Sequence, residues 1–206
     1  MSYNVLVVED QRMPRKLLEL YIRESDRYYH VGSVSNADSS LPFCDRNKVD
    51  LILMDVLTEF GSNGLDASEK IKAKYPNIKI IILTSMPEAG WLARAKRIGV
   101  DSFWYKETDT DSILNIMDCT MAGEHIFPDT TPVVQIGSTT NHEFTEREIV
   151  ILRELLTGDS NSEIAKRLDI SIETVKFHIT QMLQKTGFHS RTELATKARS
   201  LGIVIK

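Results

Sequence analysis

The chain has 206 residues, of which 42% are hydrophobic and 26% are charged, and its formal net charge at pH 7 is −4. This composition is typical of a globular protein, and no apolar run reaches the roughly 18 residues that a membrane-spanning helix needs. The first residues lack a secretory signal, so we expect a cytoplasmic protein without a membrane partner. The two cysteines, Cys44 and Cys119, are too few and too isolated for a disulfide framework or a zinc site.

The charges are distributed unevenly along the chain. Residues 1–122 carry 15 lysines and arginines against 18 acidic residues, whereas residues 170–206 carry six against two. Proteins that bind nucleic acids place lysine and arginine against phosphates, so the basic final third is a weak indication of such a partner.

The first 122 residues alternate between short apolar runs and amphipathic segments. The apolar runs predict strands at residues 4–8, 29–34, 51–54, 78–83 and 102–105. The amphipathic segments predict helices at residues 12–23, 67–75, 91–98 and 112–121. Such alternation predicts an α/β domain whose parallel sheet has helices on both faces. Five strands fit the flavodoxin-like strand order 2-1-3-4-5.

Polar residues follow or end four of these strands. They are Glu9 and Asp10 after the first, Asp55 after the third, Thr84 after the fourth and Lys106 after the fifth. The carboxyl ends of parallel strands are where an open sheet builds its binding site. Clustered carboxylates repel one another unless a cation such as Mg²⁺ is bound, and a phosphoryl oxygen can complete its coordination. Asp55 is a candidate nucleophile, since carboxylates form aspartyl phosphates.

The second part of the chain is different. Residues 123–143 contain two prolines and a run of small polar residues, which predicts a linker. From Phe144 onward the pattern predicts helices at residues 146–156, 163–168, 172–186 and 191–200, with Thr145 and Glu148 forming a capping box. A tight turn between the second and third of these helices indicates a helix-turn-helix module.

Residues 1–122 resemble the receiver domain of two-component response regulators. In that family an acidic pair ends strand 1, the phosphorylated aspartate ends strand 3, a Thr or Ser ends strand 4 and a lysine ends strand 5. The residues here that match these positions are Glu9 and Asp10, Asp55, Thr84, and Lys106.

The resemblance implies a (βα)5 fold and phosphoryl transfer to Asp55 from a phosphohistidine on a sensor histidine kinase. It also implies a Mg²⁺ ion held by Asp10, Asp55 and the carbonyl of Leu57, with Glu9 assisting. The aromatic residue that changes rotamer on activation in this family lies three residues before the lysine, which is Phe103 here.

The segment after Asp55 departs from the family pattern. The usual Met-Pro is missing, and Gly64 follows Asp55 by nine residues where the family has eight. The loop is therefore one residue longer, and Glu59 within it is close enough in sequence to approach the metal or repel the phosphoryl group. We expect phosphorylation to persist with an altered rate or lifetime.

Residues 145–202 resemble the DNA-binding domain of NarL/LuxR-type regulators. The matching segments are Thr145–Glu148, Gly158, Asn161–Ala165, Ser171–Ile179, Lys185 and Ser190–Leu194. The resemblance implies a four-helix module whose third helix enters the major groove of double-stranded DNA. It implies domain bounds of 1–122 for the receiver, 123–143 for the linker and 144–206 for the helix-turn-helix domain.

Residues of the last two helices receive roles from the same resemblance. We assign Lys176, Phe177 and Thr180 to the groove, and Thr174 and Lys185 to phosphates, which position the protein without specifying sequence. The last helix is the one that the family uses for dimer contacts, and Ala195, Thr196 and Arg199 are its candidates. We expect a homodimer on activation.

These observations favour a two-component transcriptional regulator that is not an enzyme. An aspartyl-phosphate phosphatase of the haloacid dehalogenase type would need a second aspartate two residues after the nucleophile, where Leu57 stands. A LuxR regulator that senses a small molecule would need neither the acidic cluster nor Lys106. The main alternative is an atypical receiver that works as a transcription factor without phosphorylation.

Overall fold

The structure, a computed structural model, describes residues 2–88, 90–106 and 112–204. It comprises two compact units, Met1–Ser85 with Gly90–Thr130, and Met86–Ala89 with Thr131–Lys206. Within the described ranges, no helix has the length and apolar character required to cross a bilayer.

The first unit is built on a five-stranded parallel sheet. The strands of the unit are β1 (Tyr3–Val8), β2 (Tyr28–Val34), β3 (Leu51–Asp55), β4 (Leu57–Thr58), β5 (Ser62–Asn63), β6 (Lys79–Thr84) and β7 (Ser102–Tyr105). The sheet has the order β2-β1-β3-β6-β7, while β4 and β5 form a separate antiparallel hairpin. For the five main strands this confirms the predicted order 2-1-3-4-5.

In the part of this unit that the structure describes, five α-helices surround the sheet: α1 (Arg12–Arg23), α2 (Ser40–Arg46), α3 (Gly64–Lys74), α4 (Trp91–Ile98) and α5 (Ile113–Met121). Apolar residues of α1 and α5 form one core cluster with side chains of β1, β3 and β6. Helix α3 contacts both α2 and α4. The central strands are buried along their length, as expected for a parallel sheet covered on both faces.

The second unit is mainly helical. It contains the short strands β8 (Gln135–Ile136) and β9 (Thr139–Thr140), followed by helices α6 (Glu146–Leu155), α7 (Asn161–Leu168), α8 (Ile172–Thr186) and α9 (Arg191–Ser200). The helices share one apolar core, to which each contributes buried side chains, for example Leu152, Ile164, Val175 and Leu194. The turn between α7 and α8 passes through Asp169, whose φ of 52° lies in the left-handed region. The predicted helix-turn-helix arrangement is therefore present.

Part of the predicted linker packs against the second unit. Ile136 is fully buried in the helical core. The Asn141 side chain accepts a hydrogen bond from the Val134 N–H at 2.8 Å and donates one to the Pro132 carbonyl at 3.0 Å. These contacts fix the segment before α6, for which composition predicted only a linker.

Candidate functional site

Three carboxylates meet at the carboxyl edge of the sheet. Val8, the last residue of β1, pairs with Met54 of β3, so Glu9 and Asp10 leave the sheet beside Asp55. One carboxylate oxygen from each of these three residues lies within 4.8 Å of the others. Glu9 is fully buried and Asp55 is 6% exposed.

One ammonium group lies among these carboxylates. The Lys106 Nζ is 2.5 Å from Glu9 Oε2 and 3.1 Å from Asp55 Oδ2. The Lys106 backbone N–H donates to the Thr84 carbonyl at 2.9 Å, which holds the end of β7 beside β6. The sheet therefore brings Glu9, Asp55 and Lys106 together as the sequence predicted, although they lie far apart in the chain.

Burial dominates the electrostatics of the pocket. It raises the pKa of Asp55 to about 7, and Glu9 adds to the rise while the Lys106 ammonium opposes it. The pKa of Asp10 is also raised, first by burial, then by the charge of Glu9 and to a lesser degree by that of Glu59. The ionised form of each carboxylate is therefore less favourable than in water, and further positive charge would stabilise it.

The donor set fits a hard divalent cation. All three side chains offer oxygen, and Asp10 Oδ1 is buried without a hydrogen-bond partner among the described residues. A buried carboxylate oxygen with no partner is costly, and a metal ion would satisfy it. One ammonium cannot neutralise three carboxylates, which leaves room for a second positive charge.

The remaining predicted residues of the pocket occupy the neighbouring strand ends. Thr84 is the last residue of β6 and is 2% exposed, and it pairs with Tyr105 of β7. Phe103 is fully buried, with its ring centroid 5.0 Å from that of Tyr105. Leu57 begins β4 and pairs with Asn63 of β5. The roles assigned to these residues stay predictions.

The longer loop after Asp55 is a β-hairpin. At its tip Ser62 N–H donates to the Glu59 carbonyl, and both central residues, Phe60 and Gly61, have positive φ. This is the pattern of a type I′ turn.

Gly64 follows the hairpin and touches the phosphoacceptor candidate directly. A Cβ atom at Gly64 would lie 2.0 Å from the Asp55 carbonyl oxygen. Only glycine permits this approach, which explains why the chain keeps glycine here although its spacing from Asp55 differs from the family pattern.

The third helix of the second unit presents a polar outer face. Lys176, Phe177 and Thr180 are exposed, Phe177 by 58%, and Thr174 is half-buried in the first turn. The opposite face carries the buried Val175, Ile179 and Met182. The groove residues predicted from the sequence therefore lie on the outer face.

Lys185, predicted as a phosphate contact, makes bonds within the unit. Its Nζ donates to Glu148 Oε2 at 2.7 Å and to the Glu143 carbonyl at 2.9 Å. Glu148 is 3% exposed and forms the predicted capping box with Thr145. Burial alone would raise the pKa of Glu148, but the Lys185 ammonium and the Thr145 N–H hold it below its usual value.

The dimer candidates on α9 line a shallow cleft. Ala195 is half-buried, and Thr196 and Arg199 are exposed. Together with residues of α6 they line a cleft of about 240 Å³.

An apolar surface on α1 was not predicted as a functional feature. Met13 is 77% exposed, Leu17 48%, Leu20 49% and Tyr21 37%. Beside them lies a cleft of about 380 Å³ whose wall includes Trp104. The sequence does carry a signal, because α1 has more apolar residues than one buried stripe requires.

Comparison with known families agrees with both units. Residues 5–118 match the family described as response regulator receiver domain. Residues 142–198 match the family described as bacterial regulatory proteins, luxR family.

Curated relatives match nearly the whole chain. The chain is 34% identical over 198 residues to response regulator protein VraR of Staphylococcus aureus and 33% identical to VraR of Staphylococcus epidermidis, covering 94% of both chains in each case. Among solved structures, RcsB dimers bound to DNA match with a TM-score of 0.64 and 17% identity, covering 98% of this chain and 100% of that one. RcsB from Salmonella enterica serovar Typhimurium bound to a promoter with a phosphomimetic matches with a TM-score of 0.65 and 16% identity, covering 97% and 99%. At this low sequence identity, the two RcsB matches show a similar fold only. The chain belongs to the response regulators that join a receiver domain to a LuxR-type DNA-binding domain.

Proposed function

We propose that Asp55 accepts a phosphoryl group from the phosphohistidine of a sensor histidine kinase, and that this transfer controls dimerisation and transcription of target genes. The observation that carries the proposal is the buried Asp55 carboxylate, which has two further carboxylates within 4.8 Å and the Lys106 ammonium at 3.1 Å. Such a cluster at a sheet edge suits a phosphoryl group with its metal ion.

The transfer breaks the P–N bond of phosphohistidine and forms a bond between phosphorus and a carboxylate oxygen of Asp55. The electron pair of the broken bond stays on the imidazole nitrogen of the donor, which takes up a proton. Asp55 reacts as the carboxylate, so positive charge in the pocket favours the reactive form. The Lys106 ammonium and the Thr84 hydroxyl are the groups that would bind the phosphoryl oxygens, and Phe103 is the aromatic residue that would respond to them.

Asp10, Asp55 and the carbonyl of Leu57 would hold Mg²⁺, with Glu9 assisting. When bound, Mg²⁺ offsets the negative charge of the carboxylates and of the entering phosphoryl group. Asp10 has an unpartnered buried oxygen for this purpose among the described residues.

The test is intact mass measurement after incubation with Mg²⁺ and either acetyl phosphate or phosphoramidate. We expect a gain of about 80 Da in the wild type. The gain should be absent from Asp55→Asn and should require Mg²⁺. A gain that persists in Asp55→Asn would place the phosphoryl group elsewhere.

A second candidate is a regulator that works without phosphorylation. It is favoured by one observation, since Lys106 already pairs with Glu9 and Asp55 and partly neutralises the pocket. If no donor gives a mass gain in the wild type, this candidate replaces the first, and dimerisation and DNA binding should then be independent of phosphoryl donors.

We further propose that α8 enters the major groove of double-stranded DNA. Lys176, Phe177 and Thr180 would contact bases, while Thr174 and Lys185 would contact phosphates. The proposal is supported by the outward exposure of the first three and by the basic surplus of residues 170–206. Solved relatives described as bound to DNA add support.

The chain is proposed to act as a homodimer. A structural relative is described as dimers on DNA, and two half-sites double the contacts of one small module. Ala195, Thr196 and Arg199 are the proposed contacts between DNA-binding domains. For the receiver domains we propose the exposed apolar face of α1, because a second copy would bury Met13 and Leu17.

Leu17→Glu is expected to weaken the phosphorylated dimer at least about tenfold, since a carboxylate would be buried without a partner. Analytical ultracentrifugation across protein concentration measures this change. Tyr29→Glu, which places the same charge at a side chain that is 61% exposed on an edge strand, is the matched control and should dimerise like the wild type. Equal dimerisation of the Leu17 variant would remove α1 from the interface.

A further inference from the structure

The tip of the hairpin formed by β4 and β5 exposes an aromatic side chain. Phe60 is 95% exposed, more than any other large hydrophobic residue in the described part of the chain. It gains almost nothing from burial within this molecule, so its contribution to the free protein's stability is small.

The backbone of Phe60 is also unfavourable for a bulky residue. Its φ of 61° and ψ of 23° lie in the left-handed region, which Asn and Gly adopt far more readily. The central pair of a type I′ turn is usually Asn-Gly, and here it is Phe60-Gly61. An exposed aromatic side chain in a strained conformation is typical of a functional contact.

The turn is held rigidly from behind by the segment after β2. Glu59 N–H donates to the Ser35 carbonyl at 3.2 Å, and the Ser35 hydroxyl donates to Glu59 Oε2 at 2.6 Å. The Asn36 side-chain amide donates to the Glu59 carbonyl at 2.8 Å, and the Ala37 N–H donates to Thr58 Oγ1 at 2.9 Å. A preorganised tip loses little conformational entropy when it binds a partner.

The hairpin lies beside the acidic pocket. Its first strand begins two residues after Asp55, and the charge of Glu59 acts on Asp10. The acidic residues around the tip, Glu59 and Asp10, disfavour nucleic acid as its partner. A phosphodonor protein, by contrast, must bring its histidine to Asp55, and the hairpin that begins two residues later adjoins that site.

We propose that Phe60 is an aromatic anchor that inserts into an apolar depression on the phosphohistidine-bearing domain of the donor kinase. This inference rests on the proposed function and extends it to partner recognition. Lysine or arginine on the kinase surface around that depression would complement Glu59. Small phosphodonors would not use Phe60 at all.

The test is Phe60→Asn, which places the preferred Asn-Gly pair in the turn and removes the ring. The 206-residue chain is phosphorylated in two ways, with acetyl phosphate or with an autophosphorylated sensor kinase. The kinase is the cytoplasmic part of the one, among those encoded in the source genome, that transfers its phosphoryl group fastest to the wild type. We expect the acetyl phosphate rate to stay within about twofold and kcat/KM for the kinase to fall about tenfold or more, mainly through KM. Tyr29→Asn, an exposed aromatic residue at the amino end of an edge strand, is the matched control and should leave both rates unchanged.

Each other outcome has a separate meaning. If the kinase phosphorylates Phe60→Asn with the same kcat/KM as the wild type, and the melting temperature is unchanged, the proposal that Phe60 anchors the kinase is overturned. Loss of both reactions would place Phe60 within the pocket's own function and would also overturn it. A wild type that accepts phosphate from acetyl phosphate but from no kinase would leave Phe60 without a donor to bind and would reject the inference alone. A wild type that accepts phosphate from neither would reject the proposed function itself.

Discussion

Replacing Lys106 with methionine is expected to lower the free energy of unfolding by about 3 kcal/mol at pH 8 without divalent cations. The Lys106 side chain is 14% exposed, and the side chains of its partners Glu9 and Asp55 are 0% and 9% exposed. Removing the ammonium leaves buried carboxylates without their counter-charge, which costs more than the pair itself contributes. Urea denaturation followed by circular dichroism measures the difference.

The stability that Lys106→Met loses relative to the wild type should increase with pH. Asp55 has a pKa of about 7 in the folded chain, against about 3.9 in an unfolded one. The folded state therefore binds this proton more tightly, so ionisation of Asp55 costs stability as the pH rises from about 4 to 7. Because Lys106 lowers this pKa, its removal extends the loss to higher pH. The variant should be closest to the wild type at pH 5 and furthest from it at pH 8.

A surface lysine provides the control for this variant. The Lys70 side chain is 62% exposed, and its Nζ lies 3.7 Å from Asp38 Oδ1. Lys70→Met should therefore change the free energy of unfolding by no more than about 0.5 kcal/mol. Millimolar Mg²⁺ should stabilise Lys106→Met more than the wild type, because the ion no longer competes with the ammonium. A deficit that is independent of both pH and Mg²⁺ would mean that Lys106 acts through packing of its side chain alone.

The acidic pocket was predictable because it depends on topology. Apolar runs predicted the five strands, and strand–helix alternation predicted that they are parallel, so polar residues at their ends had to meet at one edge. The structure confirms the fold and places Glu9, Asp10 and Asp55 within 4.8 Å. Their metal and phosphoryl roles came from the family resemblance and stay predictions.

Features that depend on local backbone geometry were not predictable in the same way. The pattern after Asp55 indicated a longer loop, but only Gly61 of the Phe60-Gly61 pair is typical of the type I′ turn that forms there. Helix α2 was not predicted because it has seven residues, includes Pro42 and buries few apolar side chains. The pattern predicts the start of α7 at residue 163, which is too late, since Ser160 caps the helix and Asn161 is its first residue.

Surfaces and side-chain partners were the hardest to predict. The pattern of residues 12–23 predicts an amphipathic helix, whereas several of the apolar residues of α1 are exposed. Lys185 was assigned to DNA by its position in the family pattern, and the sequence holds no signal that Glu148, 37 residues away, is its partner. Long-range pairing of charges follows from packing, which periodicity alone does not reveal.

Two lysines on α8 should therefore respond differently to replacement by alanine. Lys176 is exposed on the outer face and is proposed to contact a base, so Lys176→Ala is expected to weaken DNA binding about tenfold and to relax the sequence preference at that base. Lys185 pairs with the buried Glu148, so Lys185→Ala is expected to destabilise the second unit by about 3 kcal/mol, because the carboxylate loses its counter-charge. Fluorescence anisotropy with operator-length DNA and thermal unfolding separate the two effects.

A double replacement tests whether Lys185 acts on DNA at all. Glu148→Gln removes the unpaired charge, so Lys185→Ala combined with Glu148→Gln should recover part of the stability that the single variant loses. If Lys185 also contacts a phosphate, the double variant should still bind DNA more weakly than Glu148→Gln alone, with a salt slope reduced by about 1. Equal DNA affinity of the double variant and Glu148→Gln would mean that Lys185 acts only through its ion pair with Glu148. Unchanged stability of Lys185→Ala would contradict the buried ion pair. The pair of readouts thus separates a lysine that supports the recognition helix from one that contacts DNA.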